Sequence, residues 1–328
     1  MEIHEKIIPE KLYISKVFDE YMGHLNCVFL DIETTGINPE INKVILVGLI
    51  IIKNNALTSK QLFAEKKEDE KYLLSRLSEI LDESDIIINY NGNSFDIPFL
   101  NKRFEKNGIF FSIPKHVSFD LYRIIKNYGY VKLNDYKLKT IEKFLGINRT
   151  DTISGKDSIT LYNKYLNTKN PIYKEKICLH NYEDIYSLTK VLPIINKYDF
   201  HKITFENPRY LKTDKGHQKT IVIENSIKKE RLIVNGLCHS KKKDNAFFTY
   251  SYDYKFSSKA KEFSLQIPLY KKNDLLYLSL KDFDFTYEKR MPLPHIPPHI
   301  LTVKENGAIN YMEINWFIND LISHLHSY

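Results

Sequence analysis

Asp31 and Glu33 stand one residue apart in Phe29-Leu30-Asp31-Ile32-Glu33-Thr34-Thr35-Gly36, an apolar run that breaks at a glycine. In a strand, residues i and i+2 share a face, so the two carboxylates project together while Leu30 and Ile32 point the other way. Two acids side by side on a buried strand repel one another and cost desolvation energy, and a cation between them relieves both penalties. Hard dications such as Mg2+ take oxygen ligands, which makes the pair the first half of a candidate metal site. The bland alternative is an edge strand with two solvated acids.

Two further groups carry chemistry. Asp96 follows the polar, glycine-containing turn Asn89-Tyr90-Asn91-Gly92-Asn93-Ser94-Phe95. It stands at the start of a helix, where the macrodipole alone would favour a carboxylate. Further on, His180-Asn181-Tyr182-Glu183-Asp184 places His180 and Asp184 at i and i+4, on one helix face about a turn apart. An imidazole there can accept a proton near neutral pH or orient a water. It can equally be a surface or core histidine. Tyr182, two residues before Asp184, turns to another face.

The elements that must position these residues follow from periodicity. Cys27 to Leu30 opens a strand, Val44 to Ile52 is an apolar strand buried on both faces, and Leu57 to Ala64 is a third. Leu73, Leu74, Leu77, Ile80 and Leu81 recur at helical spacing between Glu68 and Leu81, and Asp85 to Asn89 returns to a strand. The Asp96 helix buries Leu100 and Phe104 and stops at Gly108; Val117 to Leu121 reads as a short strand. Helical patterns follow over Lys137 to Leu145 and Ser158 to Leu166. A longer one opens at Pro171 and runs to about Tyr198, bent or ended at Pro193.

After about Asn207 the texture changes to short β-type runs: Thr220 to Ile223, Arg231 to Val234, Phe247 to Tyr252, Phe263 to Ile267 and Leu275 to Leu280. An amphipathic helix over Asn315 to His324 closes the chain. The expected organisation is a lead-in segment over 1–24, an α/β domain over 25–203 and a smaller β-rich domain over 204–328.

Together the three motifs run in the order Asp-x-Glu, Asp, then His with Asp. In these motifs the chain resembles the DEDD exonucleases, whose fold is ribonuclease H-like, and among them the YprB-type proteins and the proofreading domain of family B DNA polymerases. Leu138-Lys139-Thr140-Ile141-Glu142-Lys143-Phe144-Leu145-Gly146 with Ser154-Gly155 also resembles the YprB-type pattern. The resemblance covers roughly residues 25 to 200 and implies a ribonuclease H-like mixed sheet flanked by helices. By the same resemblance Asp31, Glu33, Asp96 and Asp184 would hold two divalent ions, Mg2+ or Mn2+, and the chain would be a 3′ to 5′ exonuclease hydrolysing phosphodiester bonds of single-stranded DNA or RNA. Paired ions of this kind activate an attacking water and stabilise the leaving oxygen of an in-line displacement.

One departure stands out. The family carries either a Tyr four residues before the last Asp or a His five before it, and here His180 occupies the tyrosine register. That leaves a second reading, a catalytically inactive nucleic-acid-binding protein that retains the fold.

Composition bounds the rest. With 328 residues, 43% of them hydrophobic, the chain can build a substantial core, and a net charge of +7 mildly favours a polyanionic partner. From Thr204 onward 19 basic and 14 acidic residues give +5 of that charge, interleaved with aromatics as in Phe247-Phe248-Thr249-Tyr250-Ser251-Tyr252, which would suit phosphate contacts and base stacking. Three scattered cysteines with no CxxC pair exclude a disulfide framework and a cysteine-based zinc site. The start of the chain lacks a secretory apolar region, and Ile45 to Ile52 is too short to span a bilayer, so a cytoplasmic protein with no membrane partner is expected.

Overall fold

The computed structural model describes residues 1–13, 15–53, 56–130, 132–151, 153–211, 219–239, 243–287, 289 and 296–326. Its contacts divide the chain into two units, residues 1–16 with 25–198 and residues 17–24 with 199–328.

In the first unit the strands are β1 (Glu2–Ile8), β2 (Cys27–Thr34), β3 (Val44–Lys53), β4 (Ala56–Phe63), β5 (Ile86–Asn89) and β6 (Ser118–Asp120). They form one sheet in the order β1-β4-β3-β2-β5-β6. The pairs from β1 through β2 are antiparallel, whereas β2-β5 and β5-β6 are parallel. This is the mixed sheet of a ribonuclease H-like fold. In chain order its helices and the short one that precedes β2 are α1 (Lys16–Met22), α2 (Glu70–Asp82), α3 (Asp96–Lys106), α4 (Leu121–Tyr128), α5 (Leu138–Leu145), α6 (Gly155–Thr168) and α7 (Pro171–Val191), of which α1 belongs to the second unit.

Alternation along β2 decides what each face of the sheet meets. Val28, Leu30 and Ile32 join Leu73, Leu74 and Leu77 of α2 and Phe99, Leu100 and Phe104 of α3 in one buried core. On the other face, Ile45, Leu46 and Phe63 pack with Tyr162 and Tyr165 of α6 and Ile177 of α7. The acids of β2 therefore lie on the α7 side, as i, i+2 spacing requires. Glu70 and Arg103 staple α2 to α3 through a buried two-pronged ion pair of 2.8 and 2.6 Å, and Glu70 also accepts the amide of Val44.

Several sequence expectations shift. Residues 1–24 do not stand apart: Glu2–Ile8 pairs along β4 as an edge strand, and residues 17–24 go with the second unit. A seven-residue strand of alternating charge carries little hydrophobic signal, and only the open edge of β4 gives it structure. The strand near 117–121 is three residues long, and Asp120 then caps α4, an eight-residue helix too short to show a helical period, by accepting the amide of Tyr122. α6 begins earlier than its apolar spacing, at a capping box between Ser154 and Asp157. α7 ends at Val191, where Pro193 accompanies a change to a 3-10 turn over Leu192–Lys197.

The second unit adds α8 (Phe200–Glu206), β7 (Arg209–Leu211), β8 (Thr220–Lys228), β9 (Arg231–Cys238), β10 (Asn245–Phe248), β11 (Asp253–Ser257), β12 (Glu262–Pro268), β13 (Tyr270–Lys272), β14 (Leu275–Ser279), β15 (Ile300–Glu305), β16 (Ala308–Ile309) and α9 (Tyr311–Leu325). Two antiparallel sheets result, β10-β11-β12-β9-β8-β7 and β13-β14-β15-β16. Phe247–Tyr252, expected as one strand, is instead the end of β10 and a turn in which Thr249 bonds back to Tyr252. α9 starts a turn earlier than expected, at the cap supplied by Asn310, and buries Ile314, Phe317, Ile318, Leu321 and Ile322 in the core of this unit. Of the 19 basic residues after Thr204, five, at 212, 215, 241, 242 and 290, lie outside the described residues.

Candidate metal centre

Asp31 and Glu33 project from β2 toward α7, and Asp31 faces Gly48 across the β2-β3 pair. Gln61 lies opposite Gly48 on the next strand, so Asp31, Gly48 and Gln61 form a row across the sheet. Asn181 of α7 rests on that row. Its Nδ2 donates to Asp31 Oδ2 at 2.8 Å, and its Oδ1 accepts from Gln61 Nε2 at 2.9 Å. A Cβ on residue 48 would lie 2.2 Å from Asn181 Oδ1, so the glycine is required by close approach.

Asp96 arrives from a different direction. The turn that delivers it places Asn91 at φ +62°, and Gly92 packs so tightly that a Cβ would sit 2.5 Å from Asn89 Cγ. Asp120, at the end of β6, pins the turn by accepting the amides of Asn91 at 2.8 Å and Asn93 at 3.2 Å. Asp96 does not spend itself on capping α3. Its Oδ1 reaches the backbone amide of Ile32, between the two β2 acids, at 3.2 Å.

α7 supplies the last two groups. His180 Nε2 lies 3.6 Å from Glu33 Oε1 and 3.7 Å from Asp184 Oδ2, and one atom from each of the three residues falls within 4.8 Å of the others. Asp184 also receives Arg149 Nη1 on Oδ1, while Arg149 clasps Glu142 with two bonds of 2.7 and 2.6 Å. His180 Nδ1 is 2.6 Å from Asp151 Oδ2. Tyr182 is turned away and stacks on Tyr186 with Lys6 over its ring.

Glu33, His180 and Asp184 thus share one space, and Asp31 and Asp96 adjoin it closely enough for the charges of Asp184, Asp96 and Glu33 to act on Asp31. Glu33 and Asp96 are 6% exposed and His180 4%. Burial pushes Asp31 well above the usual carboxylate range, and the charges of Asp184, Asp96 and Glu33 push it further, against the bond from Asn181. Burial first and Asp184 second push Glu33 up to about 8. Asp96 is pushed up to about 7, chiefly by burial. Asp151 goes the other way, because bonds from the Ile153 amide and His180 outweigh its burial.

A set of largely enclosed carboxylates that repel one another, with an imidazole beside them, fits a divalent cation, whose charge would oppose the upward shifts. The residues that could hold it are Asp31, Glu33, Asp96, His180 and Asp184. Sequence reasoning did not assign Asn181, Arg149, Asp151, Asp120 or Gly48. Asn181 lies inside the His180 motif, and Arg149 and Asp151 fall just after the quoted Leu138–Gly146 stretch, but no spacing rule links them to β2.

With fold and cluster in place, comparison with known proteins gives the class. The sequence pattern of the RNase H superfamily matches residues 28–196, just over half of the chain, and the chain belongs to that superfamily. It is 28% identical over 119 residues to a PolC-type DNA polymerase III of Ureaplasma parvum, a match covering 29% of this chain and 8% of that protein. It is 27% identical over 168 residues to a DNA polymerase of Pyrococcus glycovorans, covering 44% of this chain and 18% of that one. The chain therefore corresponds to less than a fifth of either relative. Among solved structures, the family B DNA polymerase of Pyrobaculum calidifontis matches with a TM-score of 0.41 and 19% identity over 52% of this chain and 24% of that chain.

Proposed function

We propose that this protein is a metal-dependent nuclease, a 3′ to 5′ exonuclease that hydrolyses phosphodiester bonds of single-stranded DNA or RNA. The observation that carries the proposal is the convergence of Asp31, Glu33, Asp96 and Asp184 from β2, α3 and α7, close enough that, beyond the effect of burial, the charge of Asp184 raises the pKa of the other three. The order of these residues along the chain is that of the DEDD exonucleases, and the superfamily match accords with it. The curated relatives are DNA polymerases, which accords with a nucleic-acid partner.

In this reading the four carboxylates hold two divalent ions, Mg2+ or Mn2+, which supply charge neutralisation for the phosphate and an activated water at neutral pH. The chain's own part is positioning. Asn181 holds Asp31, Asp120 holds the turn behind Asp96, and Arg149 fixes one oxygen of Asp184. His180 is the fifth member of the site. No described helix is long and apolar enough to cross a membrane.

The second unit is proposed as a strand-binding module. Phe248 and Tyr250 are exposed at 65% and 77%, and Lys255 sits 5.4 Å from the Phe248 ring centre, an arrangement that offers a base a stacking surface beside a positive charge.

The test is incubation of the pure protein with end-labelled single-stranded and duplex DNA and RNA, with Mg2+, Mn2+ or chelator. A ladder shortening from the 3′ end, absent with chelator, is expected. Binding without cleavage under every metal would favour the inactive nucleic-acid-binding alternative.

A further inference from the structure

We infer that His180 is a metal ligand and not a general base, and that Glu33, His180 and Asp184 form a one-nitrogen, two-oxygen site for a transition-series dication of the Mn2+ kind. This rests on the metal-dependent nuclease reading and specifies one of its ion sites.

Nδ1 lies 2.6 Å from Asp151 Oδ2 and donates its proton to that carboxylate oxygen. Nε2 then faces Glu33 Oε1 at 3.6 Å and Asp184 Oδ2 at 3.7 Å. Nε2 and the two oxygens, three ligand atoms within 4.8 Å of one another, enclose one small space. A cation in it would meet all three. An ion with bonds of about 2.1 Å keeps neighbouring ligand atoms about 3 to 3.4 Å apart, so Nε2 needs to approach each oxygen by only about half an ångström.

The surroundings agree. Arg149 occupies Oδ1 of Asp184 and leaves Oδ2 facing His180. Asp151 on Nδ1 completes a carboxylate–histidine–metal relay of the kind that fixes ring tautomer and orientation, which makes it a positioning residue. A general base, by contrast, must face the water it deprotonates, and both nitrogens of this ring face acids in a side chain 4% exposed.

The choice of ion follows from the donor. Mg2+ takes oxygen ligands and keeps its waters, whereas imidazole binds the transition series more readily.

The experiment uses the full chain. MnCl2 and MgCl2 are titrated separately by calorimetry, and pulsed EPR is recorded on the Mn2+-loaded protein to look for modulation from a directly bound imidazole nitrogen. Expected is nitrogen modulation in the wild type, lost in His180→Ala together with a tenfold to hundredfold loss of Mn2+ affinity, on the scale of about 10–100-fold for disturbing such a relay. Mg2+ affinity should change by less than about threefold, a small part of that scale. Asp151→Asn should keep the modulation and weaken Mn2+ by about tenfold. The wild-type spectrum needs no variant to fold. Mn2+ bound without nitrogen modulation overturns the assignment, and so does failure to bind Mn2+ at millimolar concentration. Cleavage assays on the same Mn2+-loaded sample separate the two readings. Cleavage without nitrogen modulation removes the ligand and keeps the nuclease, whereas modulation without cleavage of any substrate keeps the ligand and removes the nuclease.

Discussion

Asn181 holds Asp31 through a 2.8 Å bond from Nδ2 to Oδ2, and it can lie there only because residue 48, directly across the sheet from Asp31, is a glycine. The bond opposes the upward shift that burial and the neighbouring acids impose on Asp31. Gln61 takes the other end of the same amide, so which end of Asn181 faces the acid is settled by the sheet.

Gly48→Ala should therefore act at a distance. The new methyl meets Asn181 Oδ1 at 2.2 Å and has to displace it. Overpacking of this kind costs about 1–3 kcal/mol, so the melting temperature should fall by several degrees and cleavage by tenfold or more. Thermal melts and rates measured side by side check it, and a variant with wild-type turnover would make Asn181 a bystander.

Asp31→Asn should abolish cleavage with either Mg2+ or Mn2+ while the fold persists. In chelator the variant should melt about 2–4 °C higher than wild type, the shift expected for roughly 1 kcal/mol of relieved repulsion. Near wild-type cleavage with Mn2+ would count against the assignment of the four acids.

Arg149→Ala should be strongly destabilising. It strips the guanidinium from Glu142, which it clasps with two bonds, and from Asp184. Removing one partner of a buried pair costs about 3–5 kcal/mol, because the remaining charge is left in a low-dielectric site. Urea unfolding measures it. Divalent metal should restore part of the loss through Asp184, and the Arg149→Ala, Glu142→Ala double variant should be less destabilised than the two single losses summed.

The metal-free protein should become less stable as pH rises toward 8. Glu33 is raised from 4.5 to about 8 and Asp96 from 3.8 to about 7 in the folded chain. Between the unfolded and folded values the native state binds more protons, so the stabilisation is complete below the ordinary carboxylate range and is lost as pH climbs through about 7 to 8. Melts in chelator at pH 6 and pH 8.5 should differ, with the higher pH less stable, and saturating Mn2+ should shrink the difference. Identical melting temperatures in chelator would mean that Glu33 and Asp96 are not raised in the folded chain.

Phe248→Ala and Tyr250→Ala should each weaken single-strand binding by about 1–3 kcal/mol if their exposed rings stack on bases. Lys255→Gln should instead flatten the dependence of log affinity on log salt, because one fewer counterion is released. Unchanged affinity in both ring variants would make this face an ordinary solvated surface.

The sequence by itself determined the parts of this protein that local chemistry controls. An i, i+2 pair on an apolar strand puts Asp31 and Glu33 on one face, and an i, i+4 pair puts His180 beside Asp184, whatever the rest of the chain does. The long apolar run of β3 and the periodic leucines of α2 are legible for the same reason, since burial on a face imposes its period on the residues. Only the tertiary structure decided what those faces meet. Asn181 reaches Asp31 across 150 residues of chain, Arg149 joins Glu142 to Asp184, and Asp151 takes the far nitrogen of His180. None of these contacts has a sequence period, because each depends on how α7 lies across β2 and β3 and where the segment before α6 returns to it. The edge strand β1 is the same case in the backbone: its residues have no pattern of their own, and the unpaired hydrogen-bonding groups along β4 are what make them a strand.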